Sequence, residues 1–222
     1  MSSAEERRRL ILDDIAAAAK VARREAGDVT LIAVTKTRSA EQIEELIAAG
    51  QRDFGESRVQ EAQSKWPPLI DRHPHARLHC IGRLQSNKAA DAVALCHAVH
   101  SVDRPSLVTA LARAMDESGR RPDCFLQVNI GDEPQKGGCA IAGLPRLLEA
   151  AHETGLNVDG LMCLPPEGVE PAPYFALLAK LARRHGVAGL SMGMSGDFET
   201  AVMIGATHVR VGTALFGERA AA

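Results

Sequence analysis

Aromatic residues are scarce: phenylalanine, tryptophan and tyrosine make up 3% of the 222 residues, and Trp66 and Tyr174 are alone of their kinds. A stacking platform for nucleic-acid bases needs several such rings, so that ligand class is excluded. Positive charge is not in excess either. Lysine plus arginine number 26 against 28 acidic residues, a net charge of -2. A nucleic-acid or polybasic membrane partner would require a cationic surplus. No apolar run approaches the ~20 residues of a membrane span. The opening stretch, Met1 to Arg9, is too charged for a signal peptide. Cys80, Cys96, Cys124, Cys139 and Cys163 are odd in number and form no C-x-x-C pair. They read as reduced, mostly buried thiols behaving as small hydrophobes, which suits a cytoplasmic protein.

What is abundant is aliphatic, in short runs. A leading helix is expected from about Ala4 to Ala26, with Leu10, Ile11, Ile15, Ala18, Ala19 and Ala22 on one face. β-rich segments then recur at Leu31–Lys36, Arg52–Glu56, Leu78–Gly82, Ala98–Val102, Cys124–Ile130, Val158–Cys163, Gly189–Met192 and His208–Gly212. Between them lie helical faces such as Leu107, Leu111 and Met115, or Leu177, Leu178 and Leu181. Gly50, Gly119, Gly155, Gly186 and Gly205 stand where helix C-termini need glycine, and Pro105 and Pro145 where a first turn accepts proline. Eight strands, each followed by a helix or the chain end, predict a single (β/α)8 TIM barrel. The expected organisation is one domain over 1–222, residues 1–27 leading and 28–222 forming the barrel. An open dinucleotide-binding sheet would carry G-x-G-x-x-G after its first strand; here that turn reads Val34-Thr-Lys-Thr-Arg-Ser.

Such barrels work at the C-terminal ends of their strands. Lys36 ends the apolar run Leu-Ile-Ala-Val, where lost hydration would favour a neutral, Schiff-base-forming amine. A lysine snorkelling into water, or paired with Glu56, is the bland alternative. The run Ser191 to Asp197 and the turn Val211 to Thr213 follow strands seven and eight, the usual phosphate loops of this fold. Gly193, Gly196 and Gly212 would allow close backbone approach, and Ser195 and Thr213 would donate hydroxyls. Asp197 reads as an N-cap. Two ligand-free glycine turns are the alternative. Arg210, charged within the last strand, either enters the barrel mouth or pairs with an acid on the outer layer. His97 and His100 face opposite sides and lack a third metal ligand, so no metal site is expected. His73 and His75 flank Pro74 in a solvated loop. Gly137-Gly138 reads as a mobile rim loop, and Lys136 as a loop lysine able to attract phosphate.

The motifs Val34-Thr-Lys36, Phe54-Gly-Glu-Ser-Arg-Val-Gln-Glu61, Ile81-Gly-Arg-Leu-Gln-Ser-Asn-Lys88, Ser101-Val-Asp-Arg104, Leu190-Ser-Met-Gly-Met-Ser195 and Val209-Arg-Val-Gly-Thr-Ala-Leu-Phe-Gly217 occur in order. Together they resemble the pyridoxal phosphate homeostasis protein family, related to the barrel domain of alanine racemase. The resemblance implies that Lys36 holds pyridoxal 5'-phosphate as a Schiff base. It implies that Ser195, Gly212 and Thr213 hold the phosphate, that Ser191 and Gly193 shape that loop, and that Arg210 faces the pyridine nitrogen. It implies an intracellular cofactor-homeostasis protein without turnover, passing the cofactor transiently to apo-enzymes. The family commonly has Asn at the position of Ser57, and His or Pro at that of Arg83.

An amino-acid racemase and a cofactor-free Schiff-base aldolase are the rivals. Racemisation needs a second base, and Tyr174 is read as lying at the wrong end of its β/α unit. About 222 residues accommodate eight units and a helix, with none spare for a second domain. A monomer is expected.

Overall fold

The computed structural model describes residues 2–133 and 135–217. Eight parallel strands close into a barrel in sequence order. They are β1 (Thr30–Val34), β2 (Asp53–Glu56), β3 (Arg77–Cys80), β4 (Ala98–Val102), β5 (Asp123–Val128), β6 (Val158–Cys163), β7 (Gly189–Met194) and β8 (His208–Val211). Closure pairs β1 with β8, Ile32 lying opposite Arg210. The helices are α1 (Ala4–Val21), α2 (Ala40–Ala48), α3 (Val59–Lys65), α4 (Pro67–Arg72), α5 (Ala89–Leu95), α6 (Pro105–Ser118), α7 (Leu144–Glu153), α8 (Ala172–His185), α9 (Phe198–Met203) and α10 (Thr213–Phe216).

The expected barrel is the observed one, with adjustments at its ends. The leading helix stops at Val21, not Ala26, and Arg23 takes a left-handed φ of 56°. Leu10 is 47% exposed, so the buried stripe of α1 is Ile11, Ile15, Ala18 and Ala19. That stripe packs across α9 and α10, and Arg7 Nε donates to the Leu215 carbonyl at 2.5 Å. Gly119 and Gly186 close α6 and α8 in the left-handed conformation. Met1 and 218–222, the ends of the expected domain, lie outside the described residues.

Strand alternation divides the core into two regions. Leu31, Ala33, Leu78, Val99, Leu126, Leu161, Leu190 and Val209 join the apolar layer between strands and helices. The opposite faces fill the barrel with Ile32, Phe125 and Met162, and with Asp53, His79, His100, Ser191, His208 and Arg210. Phe125 stacks on His100 with ring centres 4.3 Å apart and meets His208 edge-on at 4.9 Å. Imidazoles thus supply interior rings that an aromatic-poor chain otherwise lacks. A Cβ on Gly189 would stand 2.9 Å from the Phe125 ring, which is why that layer needs glycine.

Candidate functional site

At the C-terminal ends of β1, β7 and β8 lies a cavity of about 270 Å³, lined by Val34, Lys36, Arg38, Met194, Ser195, Gly196, Arg210, Gly212 and Thr213. The structure therefore brings Lys36, Ser195, Arg210, Gly212 and Thr213 together. Ser191 and Gly193 do not line it; they lie behind it.

Lys36 stands two residues beyond β1 rather than ending it, and it is exposed. The desolvating apolar wall expected for it is not there. Nor is Glu56 its partner: Glu56 Oε1 accepts from Lys65 Nζ at 2.6 Å, Thr35 Oγ1 at 2.7 Å and Trp66 Nε1 at 3.1 Å. Lys65 also donates to the carbonyls of Thr35 (2.9 Å) and Arg38 (3.2 Å) and pairs with Glu61 at 3.0 Å. Glu61 in turn accepts from Thr37 N at 2.7 Å, and Thr37 has a φ of 62°. A clamp from α3 thus grips the turn on both sides of Lys36 and leaves its amine facing the cavity. Among the described residues Lys36 makes no ion pair. The Glu61–Lys65 spacing of one helical turn was the available signal for this clamp.

On the far wall, Ser195 Oγ accepts from Gly212 N at 3.3 Å, joining the β7 and β8 loops. Gly193 has a φ of 93°, and a Cβ there would stand 2.6 Å from Ala201, so glycine lets α9 seat over the end of β7. Asp197 precedes α9, but its carboxylate makes no cap to that helix. It accepts from Met194 N at 2.5 Å instead, bracing the loop before Ser195.

Arg210 points into the barrel, 4% exposed, so the outward-facing alternative is discarded. No carboxylate touches it: it donates to Ser191 Oγ at 2.6 Å and to the Cys163 carbonyl at 3.0 Å. Burial lowers its proton affinity, opposed by Cys163 and Asp197. Ser191 Oγ lies 2.8 Å from His100 Nδ1, His100 Nε2 3.0 Å from His79 Nδ1, and His79 Nε2 2.9 Å from Asp53 Oδ1. Because the Asp53 carboxylate only accepts, one N–H on each imidazole fixes the direction of every bond. Ser191 gives its hydroxyl proton to His100, His100 donates through Nε2 to His79, and His79 donates through Nε2 to Asp53. The chain joins a buried cation at the mouth to an anion at the barrel floor. Burial holds His100 well below the ordinary imidazole range, with His79, His208 and Arg210 adding to the effect. Burial raises the Asp53 carboxyl, but the His79 hydrogen bond together with the charges of His79, Arg77 and His208 outweighs it and leaves the carboxyl lowered. His100, read earlier only as an unpromising metal ligand, belongs to this chain; its partners come from strands remote in sequence.

Other expectations are corrected or placed. Lys136 pairs with Glu133 at 2.7 Å and donates to the Pro165 carbonyl at 2.8 Å, away from the cavity. The Gly137-Gly138 loop is tied to β5: Gln127 Nε2 donates to Gly137 O at 2.9 Å, and Cys139 N to Gln127 O at 2.8 Å. Tyr174 lies in the first turn of α8, which is the same end of the barrel as the strand C-termini, so its earlier placement was mistaken. It is partly buried against the core and does not line the cavity. His75 is exposed, and His73 lies 3.6 Å from Glu44. All five cysteines are free, four of them buried. Burial pushes the thiols of Cys80, Cys124 and Cys163 up to about 12. No cluster able to hold a metal occurs among the described residues, and no described helix is long and apolar enough to cross a membrane.

This closed parallel barrel, with its lysine turn after β1 and joined loops after β7 and β8, is of the class described as the alanine racemase N-terminal domain, whose family matches residues 10–220. Relatives narrow the class. The pyridoxal phosphate homeostasis protein of Pseudomonas aeruginosa is 41% identical over 208 residues, covering 91% of this chain and 90% of that one. The protein of the same description from Deinococcus radiodurans is 41% identical, covering 93% and 97%. The chain belongs to the pyridoxal phosphate homeostasis protein family. Among solved structures, PipY of Synechococcus elongatus with pyridoxal phosphate bound is 40% identical, with a TM-score of 0.76 and coverage of 91% and 100%. An alanine racemase of Clostridium difficile shares the fold at 12% identity and TM-score 0.69, and the match spans 58% of that chain.

Proposed function

We propose that this chain binds pyridoxal 5'-phosphate in the cavity at β1, β7 and β8 and serves homeostasis of that cofactor inside the cell, without catalytic turnover. The observation that carries the reading is the convergence, in one small cavity, of an exposed amine, paired hydroxyls, a short helix start and a buried guanidinium that no carboxylate touches. When bound, the cofactor supplies an aldehyde that condenses reversibly with an amine, releasing water, and a pyridine ring able to draw electrons. The donor set fits it. Lys36 Nζ makes the covalent link, its turn held still by Lys65 and Glu61. Ser195 and Thr213 donate hydroxyls to the phosphate, Gly212 lets the backbone approach it closely, and the first turn of α10 offers backbone N–H groups to it. Arg210 meets the ring nitrogen. As a permanent cation it disfavours a proton on that atom, which weakens the ring as an electron sink. The naming of the relatives supports the same reading. The racemase-like neighbours share the fold alone, and no second acid–base side chain of the tyrosine type lines the described cavity.

Borohydride reduction of the purified protein with added pyridoxal phosphate is the direct test. Wild type is expected to retain a stable adduct, and Lys36→Ala to retain none at that site. An equal adduct in the variant would overturn the Lys36 assignment. Exchange of amino-acid Cα hydrogen in deuterated water is expected to stay at background, and sustained exchange would overturn the absence of turnover.

A further inference from the structure

Across the mouth from Lys36, the loops after β2, β3 and β4 enclose a groove of about 530 Å³. Arg58, Arg83, Lys88 and Arg104 line it, Gln60 and Gln85 add neutral hydrogen-bonding groups, and no carboxylate lines it among the described residues. The Ile81–Lys88 motif, which the cofactor cavity leaves unused, forms much of its wall.

The groove is built by a backbone contact. A Cβ on Gly82 would stand 2.1 Å from the Ser57 carbonyl oxygen, so only glycine lets the β2 and β3 loops meet this closely. The residues that follow, Arg58 and Arg83, are thereby held on one groove despite their like charge. Both are exposed, and among the described residues neither side chain makes a hydrogen bond or ion pair. The nearby Glu61 carboxylate is committed to Lys65 and Thr37. Lys88 and Arg104 differ in being anchored. Arg104 donates to Asp103 at 2.5 Å, to the Leu84 carbonyl at 2.9 Å and to Ser86 Oγ at 3.2 Å, and Lys88 pairs with Asp91 at 3.1 Å.

Two cations are therefore ion-paired with their own aspartates; the charge of Arg58 acts on Glu61 without an ion pair, and the forks of Arg58 and Arg83 are left to a ligand. Arginine presents a planar fork that matches phosphate oxygens two at a time, and like-charged forks on one groove repel until an anion separates them. We propose that this groove is a second anion site, taking a small molecule with two adjacent phosphate groups, one for each of Arg58 and Arg83. A single phosphate would leave one fork unmet. The site stands independently of the Lys36 cavity.

Calorimetric titration with inorganic pyrophosphate tests it on the full chain, run with and without saturating pyridoxal phosphate. Saturable binding is expected in both states, weakening as salt is raised. Arg58→Gln with Arg83→Gln is expected to weaken it at least tenfold while leaving the absorbance of bound pyridoxal phosphate unchanged. Orthophosphate is expected to bind at least tenfold more weakly than pyrophosphate. Thermal melts keep the result readable, since pyrophosphate should raise the Tm of wild type and not of the double variant. Absence of pyrophosphate binding, equal binding by the double variant, equal binding of orthophosphate, or loss of binding when pyridoxal phosphate fills the other cavity would each overturn the proposal.

Discussion

The two faces of the same strands do different work. Outward residues such as Leu78, Leu126, Leu161 and Val209 meet the helices in a continuous apolar layer. Inward residues include Asp53, His79, His100, Ser191 and Arg210, joined end to end by hydrogen bonds. Apolar burial contributes about 1.5–3 kcal/mol per large side chain, so the outer layer carries the stability. A buried polar chain contributes little net stability, because each hydrogen bond mainly replaces one to water. What the inner chain does instead is fix the orientation and charge of Arg210 at the mouth. The period of two along a strand separates stability from site chemistry without separate domains.

The sharpest way to test that division is to cut one face at a time. Phe175, fully buried on α8, belongs to the outer layer. Phe175→Ala is expected to cost about 3–5 kcal/mol in urea unfolding. At temperatures where the variant is folded, the absorbance of bound pyridoxal phosphate should not move.

Acid should strike the inner face first. Burial, reinforced by His79, lowers the His208 imidazole to about 4, and His100 is lowered as well. An unfolded histidine takes its proton near pH 6.5, whereas these folded ones resist it. Stability is therefore fully present above pH 6.5 and falls as pH drops toward 4, by about 3 kcal/mol at most for His208. Unfolding measured across that range should show the loss, and His208→Leu should flatten it. An unchanged slope would assign the acid sensitivity to other groups.

The smallest change is expected from Ser191→Ala, which removes the link between Arg210 and His100. Stability should fall by only about 1–2 kcal/mol. The absorbance of bound pyridoxal phosphate and its pH response should nevertheless shift, because Arg210 loses its anchor. A spectrum identical to wild type would mean that the chain behind Arg210 has no hold on the site.

Much of this arrangement was legible beforehand. Aliphatic runs alternating with helical periodicity place all eight strands, because buried parallel strands and amphipathic helices leave different patterns. Strand ends were less legible: Lys36, Gly82, Ile130 and Gly212 fall outside the ladders, and β7 runs on to Met194. An apolar run records burial, and burial does not stop where the last ladder hydrogen bond does. The glycine turns at Gly193 and Gly212 stood out because few other residues permit such backbones. The clamp of Lys65 on the Lys36 turn and the committed state of Lys136 did not stand out, since a lysine's partner is decided by the loops that surround it.

By itself the sequence determined the repeated β/α unit, the family, and the residue types available at the barrel mouth, because these rest on local periodicity and on motifs a few residues long. Tertiary structure decided which charges meet. Closure of β1 on β8 sets Ile32 opposite Arg210, and parallel pairing carries Asp53, His79, His100 and Ser191 into one line. The contact of Gly82 with Ser57 likewise brings Arg58 and Arg83 together. Those neighbours lie far apart along the chain. Only strand register and barrel closure, which no local pattern encodes, bring them within hydrogen-bonding distance or onto the same groove.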